Sequence, residues 1–374
     1  MTARAVDEPH RASSQLELLF DLTFVVAVAA VTGQFGHAVA AGHGLSELPA
    51  FLQVFFAIWW AWMNFTWFAS SYDTDDVPYR VLTMVQMAGV LVLAAGVPAA
   101  MRDLDLGIIT LGYLIMRVGL VAQWVRAALA DVERRRTGFR YAAGVGLVSA
   151  GWLLRLRLVE LGLPEAVLLG CYFVLAAAEL AVPLWAERAT PTTWHPHHIA
   201  ERYGLFTIIL LGETVLAASR GVEGALESGQ VGGGFLVVAG SGLVMLFALW
   251  WLYFLEEAGD GLTDRRDRSY PWGYGHYGIF AALAALGAGL EVAVEQSGRP
   301  VAASAVAVGY AVALPVAVYL ALLWAVHALV ATEPAIPPAA VAACVTAVAL
   351  APLGAPYLGV AGVVAVIATC CVAL

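Results

Sequence analysis

Lysine is missing from this 374-residue chain, whose 19 basic residues are all arginine. Without lysine there is no side-chain amine that could form a Schiff base with retinal or pyridoxal phosphate. A P-loop is excluded as well, because its motif requires a lysine. Charged residues make up only 13% of the chain, compared with about 25% in an average soluble domain. Hydrophobic residues make up 61%. This composition predicts an all-α polytopic membrane protein.

Cysteine is also scarce, and none of the four residues has the CxxC spacing of a redox or zinc motif. All four lie in apolar runs, which predicts reduced cysteines packed in the core. We therefore expect no metal and no cofactor. No cleavable signal is expected either, because the first apolar run already contains Glu17 and Asp21.

Apolar runs of about 20 residues are the signature of membrane-spanning helices. The chain contains twelve such runs, of which the fifth is interrupted by arginines and the eleventh is short. Their approximate bounds are 15–37, 48–68, 79–99, 106–129, 139–158, 165–187, 199–218, 233–255, 272–293, 301–330, 338–353 and 356–373.

The arginines predict the orientation of these spans, because cytoplasmic loops carry an excess of positive charge. With the N-terminus inside, thirteen of the 19 arginines fall in cytoplasmic segments and five in external ones. An even number of spans then places the C-terminus inside too. We expect a protein of the bacterial inner membrane with both termini in the cytoplasm.

Short matches suggest an internal repeat. Glu17 aligns with Glu201, and Trp59-Trp60 aligns with Trp250-Trp251. The spacing between matched residues increases gradually along the chain, as a duplication with small insertions would produce. This pattern predicts two parallel six-helix halves, 1–190 and 191–374. Each match is short, so chance similarity is the alternative.

Several ionisable residues lie inside predicted spans, where each costs about 2.5–3.5 kcal/mol by insertion scales. Asp21 follows Glu17 by four residues, so the two share a helix face. Arg117 lies about 16 Å into the fourth span, near the bilayer midplane, and must pair because it stays protonated. Asp21 and Glu213 are its predicted partners, whereas Glu179 in the sixth span has no evident partner.

Carboxylates and histidine distributed over membrane depth are what a proton or cation path requires. The alternative is a buried ion-pair network that fixes helix packing. The candidate path residues are Glu17, Asp21, Arg117, His198, Glu201, Arg202 and Glu213.

Two other groups of residues could bind a metal ion or an organic ligand. His197 or His198 could share a helix face with Glu201 and, with His276, hold a metal, although no HExxH motif is present. Tryptophans in the second and eighth spans could line an aromatic pocket for an organic ligand, and ordinary helix packing is the alternative. The candidate pocket residues are Trp60, Asn64, Trp67, Trp250 and Trp251.

The chain resembles the bacterial low temperature requirement protein A (LtrA) family in four ordered motifs. Residues 17–25, ELLFDLTFV, resemble its opening motif ELFFDLVFV, with Leu19 and Thr23 as departures. Residues 67–80, 198–213 and 249–254 resemble the next three. The resemblance implies a multi-pass inner-membrane protein named after a growth phenotype, and it supplies no reaction. The family's motif charges fall on Glu17, Asp21, Asp73, Asp75, Asp76, Arg80, Glu201, Arg202 and Glu213.

The leading hypothesis is transport of a small solute or ion, coupled to protons through Asp21, Glu201 and Glu213. Arg117 or Arg202 would be the counter-charge that is released when a carboxylate takes up a proton. One alternative is an intramembrane enzyme that uses a metal or acts on a lipid. Another is a structural or sensory membrane protein linked to growth at low temperature. The major facilitator fold is a topological alternative, because residues 259–266 loosely resemble its loop signature. The expected partners are the lipid bilayer and the transported molecule, with no nucleic acid.

Overall fold

The computed structural model describes residues 3–5, 8, 11–227 and 232–374, and the regular structure of these residues is entirely helical. Ten helical segments are long and apolar enough to cross a bilayer. Helices satisfy their own backbone hydrogen bonds, which the hydrocarbon core requires of any spanning segment. The chain is therefore an all-α polytopic membrane protein, as its composition predicts.

Thirteen α-helices, numbered in chain order, occur in the described residues. They are α1 (Gln15–Ala40), α2 (Gly44–Tyr72), α3 (Val77–Asp103), α4 (Gly107–Ala130), α5 (Arg135–Glu160), α6 (Glu165–Ala186), α7 (Pro196–Glu227), α8 (Gly233–Tyr253), α9 (Ala258–Asp264), α10 (Ser269–Gly298), α11 (Ala305–His327), α12 (Pro338–Leu350) and α13 (Ala355–Ala373).

The chain divides into two compact units. The first unit contains residues 1–27 and 57–199, and the second contains residues 28–56 and 200–374. The boundary therefore falls inside α1, α2 and α7 rather than in a loop.

In the first unit, α3 and α4 are in backbone contact through glycines. A Cβ at Gly112 of α4 would lie 2.3 Å from the backbone nitrogen of Leu93 in α3. A Cβ at Gly89 of α3 would lie 2.6 Å from the carbonyl oxygen of Gly112. Small residues at such crossings are what allow helices to pack tightly in lipid, where no hydrophobic effect draws them together.

The acidic loop between α2 and α3 has structural roles at two of its aspartates. Asp76 caps α3 by accepting a hydrogen bond from the backbone nitrogen of Tyr79 at 2.8 Å. Its carboxylate also pairs with Arg126 at 2.8 Å. Asp75 pairs with Arg80 at 2.6 Å on an exposed surface, where water and salt screen the attraction.

Helix α10 forms the core of the second unit. In its most apolar 18-residue stretch, 83% of the residues are buried. A Cβ at Gly289 would lie 2.2 Å from the carbonyl oxygen of Ala311, so α10 and α11 also approach to backbone contact.

The chain ends in a hairpin of two short helical arms. The Sγ of Cys344 in α12 donates to the carbonyl oxygen of Cys370 in α13 at 3.3 Å, so the arms run antiparallel. Gly359 interrupts α13 with φ of 65° and ψ of 176°. The continuous arms are 13 residues of α12 and residues 360–373, each about 20 Å long. A span of the hydrocarbon core needs about 30 Å.

The helices confirm most of the predicted spans but not their number. The first six and the eighth, ninth and tenth runs coincide with helices among the ten candidates. The seventh run lies in α7, which is outside the ten. The eleventh and twelfth runs are the arms of the hairpin, and together they make up one candidate segment. Twelve spans are therefore not confirmed, and the two-half repeat remains a prediction.

Candidate functional site

The first charged cluster lies deep in the first unit and is centred on Glu179 of α6. Its carboxylate accepts hydrogen bonds from Tyr113 at 2.7 Å, Trp60 at 2.9 Å and Trp152 at 3.2 Å. Arg117 pairs with the same carboxylate at 3.2 Å and also donates to the Tyr113 hydroxyl. Donors from α2, α4 and α5 therefore converge on one carboxylate of α6. We name these five residues the Glu179 cluster.

The Glu179 cluster corrects the predicted pairing of Arg117. This arginine has a counter-charge, as its permanent charge predicts, but the partner is Glu179 rather than Asp21 or Glu213. Asp21 instead accepts a hydrogen bond from the indole nitrogen of Trp62 at 2.7 Å. The side chains of Arg117 and Glu179 are 4% and 1% exposed. They therefore form a buried ion pair of the kind that fixes helix packing.

The second charged cluster lies at the N-terminal end of α1. The Nε2 of His198 lies 3.0 Å from Oε1 of Glu17. The guanidinium of Arg11 lies 3.4 Å from Glu17 and 3.6 Å from Asp73. All four side chains are at most 4% exposed. We name these four residues the entrance cluster, because they join the start of α1 to the α2–α3 loop and the start of α7.

Glu17 also has a local role that the sequence analysis missed. Its side chain accepts a hydrogen bond from the backbone nitrogen of Ser14 at 2.7 Å, and its own backbone nitrogen donates to the Ser14 hydroxyl at 3.4 Å. This reciprocal arrangement is a capping box. The pattern Ser-x-x-Glu before an apolar run is readable in the sequence, and it explains why α1 begins at Gln15.

The N-terminal segment covers the entrance cluster from one side. Arg4 donates to the carbonyl oxygen of Asp73 at 3.2 Å and pairs with Glu8 at 2.5 Å. Burial raises the pKa of Asp73, and the nearby Glu17 carboxylate raises it further, while Arg11 and Arg4 oppose this shift. Asp73 therefore takes up a proton more readily than an exposed aspartate.

Histidines at the start of α7 are held in a fixed arrangement. The backbone nitrogen of His195 donates to the Ser70 hydroxyl at 2.9 Å. The Nδ1 of His195 accepts from the backbone nitrogen of His198 at 3.3 Å, which places His195 as the cap of the helix. Burial, and to a lesser degree the charge of His197, lowers the pKa of His195. A neutral His195 retains the acceptor that this cap requires.

The remaining charged residues of α7 differ in how much of their surface is exposed. Glu201 is exposed, whereas Arg202 is fully buried. Glu213 is 3% exposed and pairs with Arg220 at 3.4 Å. Of the predicted path residues, Glu17 and His198 are brought together in the first unit, and Asp21 lies one turn further along α1.

The structure does not support one aromatic pocket built from all the predicted tryptophans. Trp60 is buried against Glu179, and the side chain of Asn64 donates to the carbonyl oxygen of Trp60 at 2.7 Å. Trp67 packs edge-on against Trp194 with ring centroids 5.0 Å apart. Trp250 and Trp251 are 44% and 66% exposed. Two members therefore lie at the surface of their unit.

His276 is engaged in hydrogen bonds that disfavour the metal hypothesis. Its Nδ1 lies 2.8 Å from the carbonyl oxygen of Trp272, which can only accept, so Nδ1 carries the proton. Its Nε2 is then left to accept from the Tyr253 hydroxyl at 3.1 Å. Within the described residues, no three His, Cys, Asp or Glu side chains are placed to hold a metal ion.

Two important members of these clusters were not among the predicted site residues. Arg11 lies in a polar segment before the first span, and nothing in its spacing links it to Glu17. Glu179 was noted as a buried carboxylate, but the sequence does not show which helices face α6. The Ser-x-x-Glu pattern was the one available signal for the local role of Glu17.

Comparison with known proteins assigns the chain to a family of similar sequences. The family model described as bacterial low temperature requirement A protein (LtrA) matches residues 12–374. A Rhizobium meliloti (strain 1021) protein described as uncharacterized is 27% identical over 303 residues. This match covers 71% of the chain and 66% of that relative. No solved structure shows a significant match.

Proposed function

The chain belongs to the bacterial low temperature requirement A (LtrA) family, and from this premise we propose that it is a membrane transporter of a small solute or ion driven by protonation of the Glu17–His198 pair. The proposal places the protein in the bacterial inner membrane with both termini in the cytoplasm. The entrance cluster would then face the cytoplasm. The observation that carries the proposal is the 3.0 Å contact between His198 and Glu17 in a fully buried environment.

The entrance cluster is suited to this role because its titratable groups share one permanently charged residue. Arg11 lies 3.4 Å from Glu17 and 3.6 Å from Asp73, so it is divided between two carboxylates. When one carboxylate takes up a proton, the attraction of the guanidinium shifts to the other. In this proposal Arg11 replaces Arg117 and Arg202 as the counter-charge released on protonation.

Movement of Arg11 would be transmitted to the chain around it. Arg11 belongs to the segment before α1, Asp73 to the α2–α3 loop, and His198 to the first turns of α7. A proton on the Glu17–His198 pair therefore changes the contacts that join three segments. Such a coupling between charge and the position of a segment is what a gated transporter requires.

The proposal can be tested by proton uptake into vesicles. Purified protein is reconstituted with a trapped pH-sensitive dye, and a potassium diffusion potential, negative inside, drives protons inward. We expect faster acidification than in protein-free vesicles. Glu17→Gln and His198→Asn should each reduce the protein-dependent rate at least tenfold.

The control variant is Glu133→Gln, because Glu133 is 80% exposed in a loop and should leave the rate unchanged. Wild-type uptake no faster than that of empty vesicles would contradict the proposal. So would normal uptake by both entrance-cluster variants.

A second candidate function, a structural or sensory membrane protein, is favoured by the Glu179 cluster. Its carboxylate is saturated by donors from three other helices and is 1% exposed. This arrangement fixes helices rather than conducting ions. If both entrance-cluster variants retain wild-type stability and neither they nor the wild type moves protons, this second function gains support.

A further inference from the structure

A group of buried side-chain oxygen atoms, several of them without a hydrogen-bond donor, lies in the second unit. The side chain of Glu213 in α7 is 1% exposed. Its Oε1 accepts from Arg220, whereas its Oε2 is buried without a hydrogen-bond partner. The Oε2 of Glu291 in α10 is also buried without a partner. The two carboxylates lie within electrostatic reach of each other.

Threonines from two helices lie beside the same glycine of α10. Thr32 of α1 is fully buried, and its Oγ1 has no hydrogen-bond partner. Thr214 of α7 donates to the carbonyl oxygen of Leu210 at 2.9 Å, which leaves its lone pairs free to accept. Both threonines flank Gly287 of α10, where a Cβ would lie 3.1 Å from the methyl carbon Cγ2 of Thr32 and 3.3 Å from Oγ1 of Thr214.

The carboxylates and hydroxyls are neighbouring parts of one helix contact. Gly287 and Glu291 are one turn apart on α10, as Thr32 and Gly36 are on α1. The Oε2 of Glu291 points towards α1, because it lies 3.6 Å from the position of a Cβ on Gly36. Side chains with acceptor oxygens on three helices of the second unit therefore lie close to Gly36 and Gly287.

The charges around these oxygens leave a net negative balance. Arg220 interacts with both carboxylates and is 41% exposed. His37 of α1 and Glu295 of α10 also lie within reach of Glu291. Two carboxylates against one guanidinium leave one negative charge. A hard cation of one positive charge would neutralise this negative charge, whereas a divalent cation would leave an excess positive charge beside Arg220.

We propose that this group is a binding site for a hard monovalent cation of the sodium class, with oxygen ligands from Thr32, Glu213, Thr214 and Glu291. A proton could join one carboxyl group to one other acceptor, but it could not satisfy several acceptor oxygens at once. A metal ion with oxygen ligands can. A role for this cation as a coupling ion in transport rests on the proposed function. Binding of the cation can be measured without transport.

The test is equilibrium binding of radiolabelled sodium to the purified full-length protein in detergent, at constant ionic strength. Sodium binding should be displaced by unlabelled sodium and not by choline, and it should weaken as pH falls because protons compete for the carboxylates. Glu213→Gln and Glu291→Gln should each weaken binding at least tenfold. Glu133→Gln is the control, because Glu133 is 80% exposed in a loop of the first unit.

Two further variants keep both carboxylates, in case the charge variants fail to fold. Thr32→Val removes one ligand oxygen while preserving side-chain shape, and it should raise the unfolding temperature in sodium-free buffer because it removes an unpaired buried hydroxyl. Gly287→Ala should weaken sodium binding at least threefold by filling the space between the two threonines.

Equal displacement by choline would overturn the inference, as would sodium affinity unchanged in Thr32→Val and Gly287→Ala. Glu17→Gln separates the two proposals, since it should retain sodium binding. A protein that takes up protons normally but binds no sodium would contradict this inference alone.

Discussion

The Nη2 atom of Arg117 lies 3.2 Å from Oε2 of Glu179, and the two side chains join α4 to α6 in the interior of the first unit. Both groups are almost completely buried, and no charged atom of either can be hydrated without opening the packing. The cost of removing both charges from water is offset only while they remain paired and hydrogen-bonded. Their joint role in stability is therefore testable by separating them.

Arg117→Met should destabilise the protein by about 3–5 kcal/mol, because it leaves the Glu179 carboxylate buried without its cation. Adding Glu179→Gln to this variant should restore part of the loss, since it removes the unpaired charge and leaves one amide oxygen that can still accept from Tyr113 and Trp152, which both donate to Oε1. Thermal unfolding in detergent measures both effects. A double variant as unstable as the sum of the single variants would contradict this explanation.

Asp73→Asn should stabilise the protein at neutral pH. Burial raises the pKa of Asp73, so the folded state binds its proton more strongly than the unfolded state does. The wild type therefore loses stability relative to the variant as the pH rises from about 4, the usual aspartate pKa, to the raised pKa of Asp73. Above the raised pKa, the difference in unfolding free energy between the two proteins is constant. Unfolding temperatures of both proteins between pH 4 and 8 test this. A variant that becomes progressively less stable than the wild type over this range would refute it.

Gly112→Ala should separate α3 from α4 and destabilise the protein by about 1–3 kcal/mol. The added Cβ would meet the backbone of Leu93 at 2.3 Å, where no side-chain rotation relieves the contact. Gly146→Ala in α5 is the matched control, because nothing lies within 4 Å of its Cβ position. That control should be neutral or gain up to about 1 kcal/mol from helix propensity. Equal effects of the two substitutions would exclude close packing as the cause.

The sequence predicts that Arg117 needs a counter-charge, but it does not show which helix supplies that charge. Arg117 could be placed near the midplane by counting residues at 1.5 Å each, and its need for a counter-charge follows from its permanent charge. The choice of Glu179 over Asp21 depends on which helices are neighbours and how each is rotated. In lipid nearly every helix face is apolar, so the amphipathic signal that orients helices in soluble proteins is weak.

Arg11 shows a second limit of sequence reasoning. Its surroundings in sequence are polar, which indicates a segment outside the membrane, and the structure nevertheless buries its side chain against Glu17 and Asp73. The burial depends on tertiary contacts with the α2–α3 loop. In contrast, the capping box of Ser14 and Glu17 is local, and its pattern could have been recognised from the sequence alone.

The terminal hairpin predicts an unusual labelling pattern at its tip. Because each arm is about 20 Å long and a span needs about 30 Å, we expect the hairpin to enter the membrane and return to the side it came from. Tyr357 lies at the turn of the hairpin, and 92% of its surface is exposed, so in this arrangement it faces lipid.

In a variant without native cysteines, Tyr357→Cys should resist a membrane-impermeant maleimide added to either side. Glu333→Cys, in the exposed loop before the hairpin, should be labelled from one side and serves as the control. Labelling of position 357 from the side opposite to position 333 would show instead that the arms are two complete spans, as the apolar runs of the sequence predict.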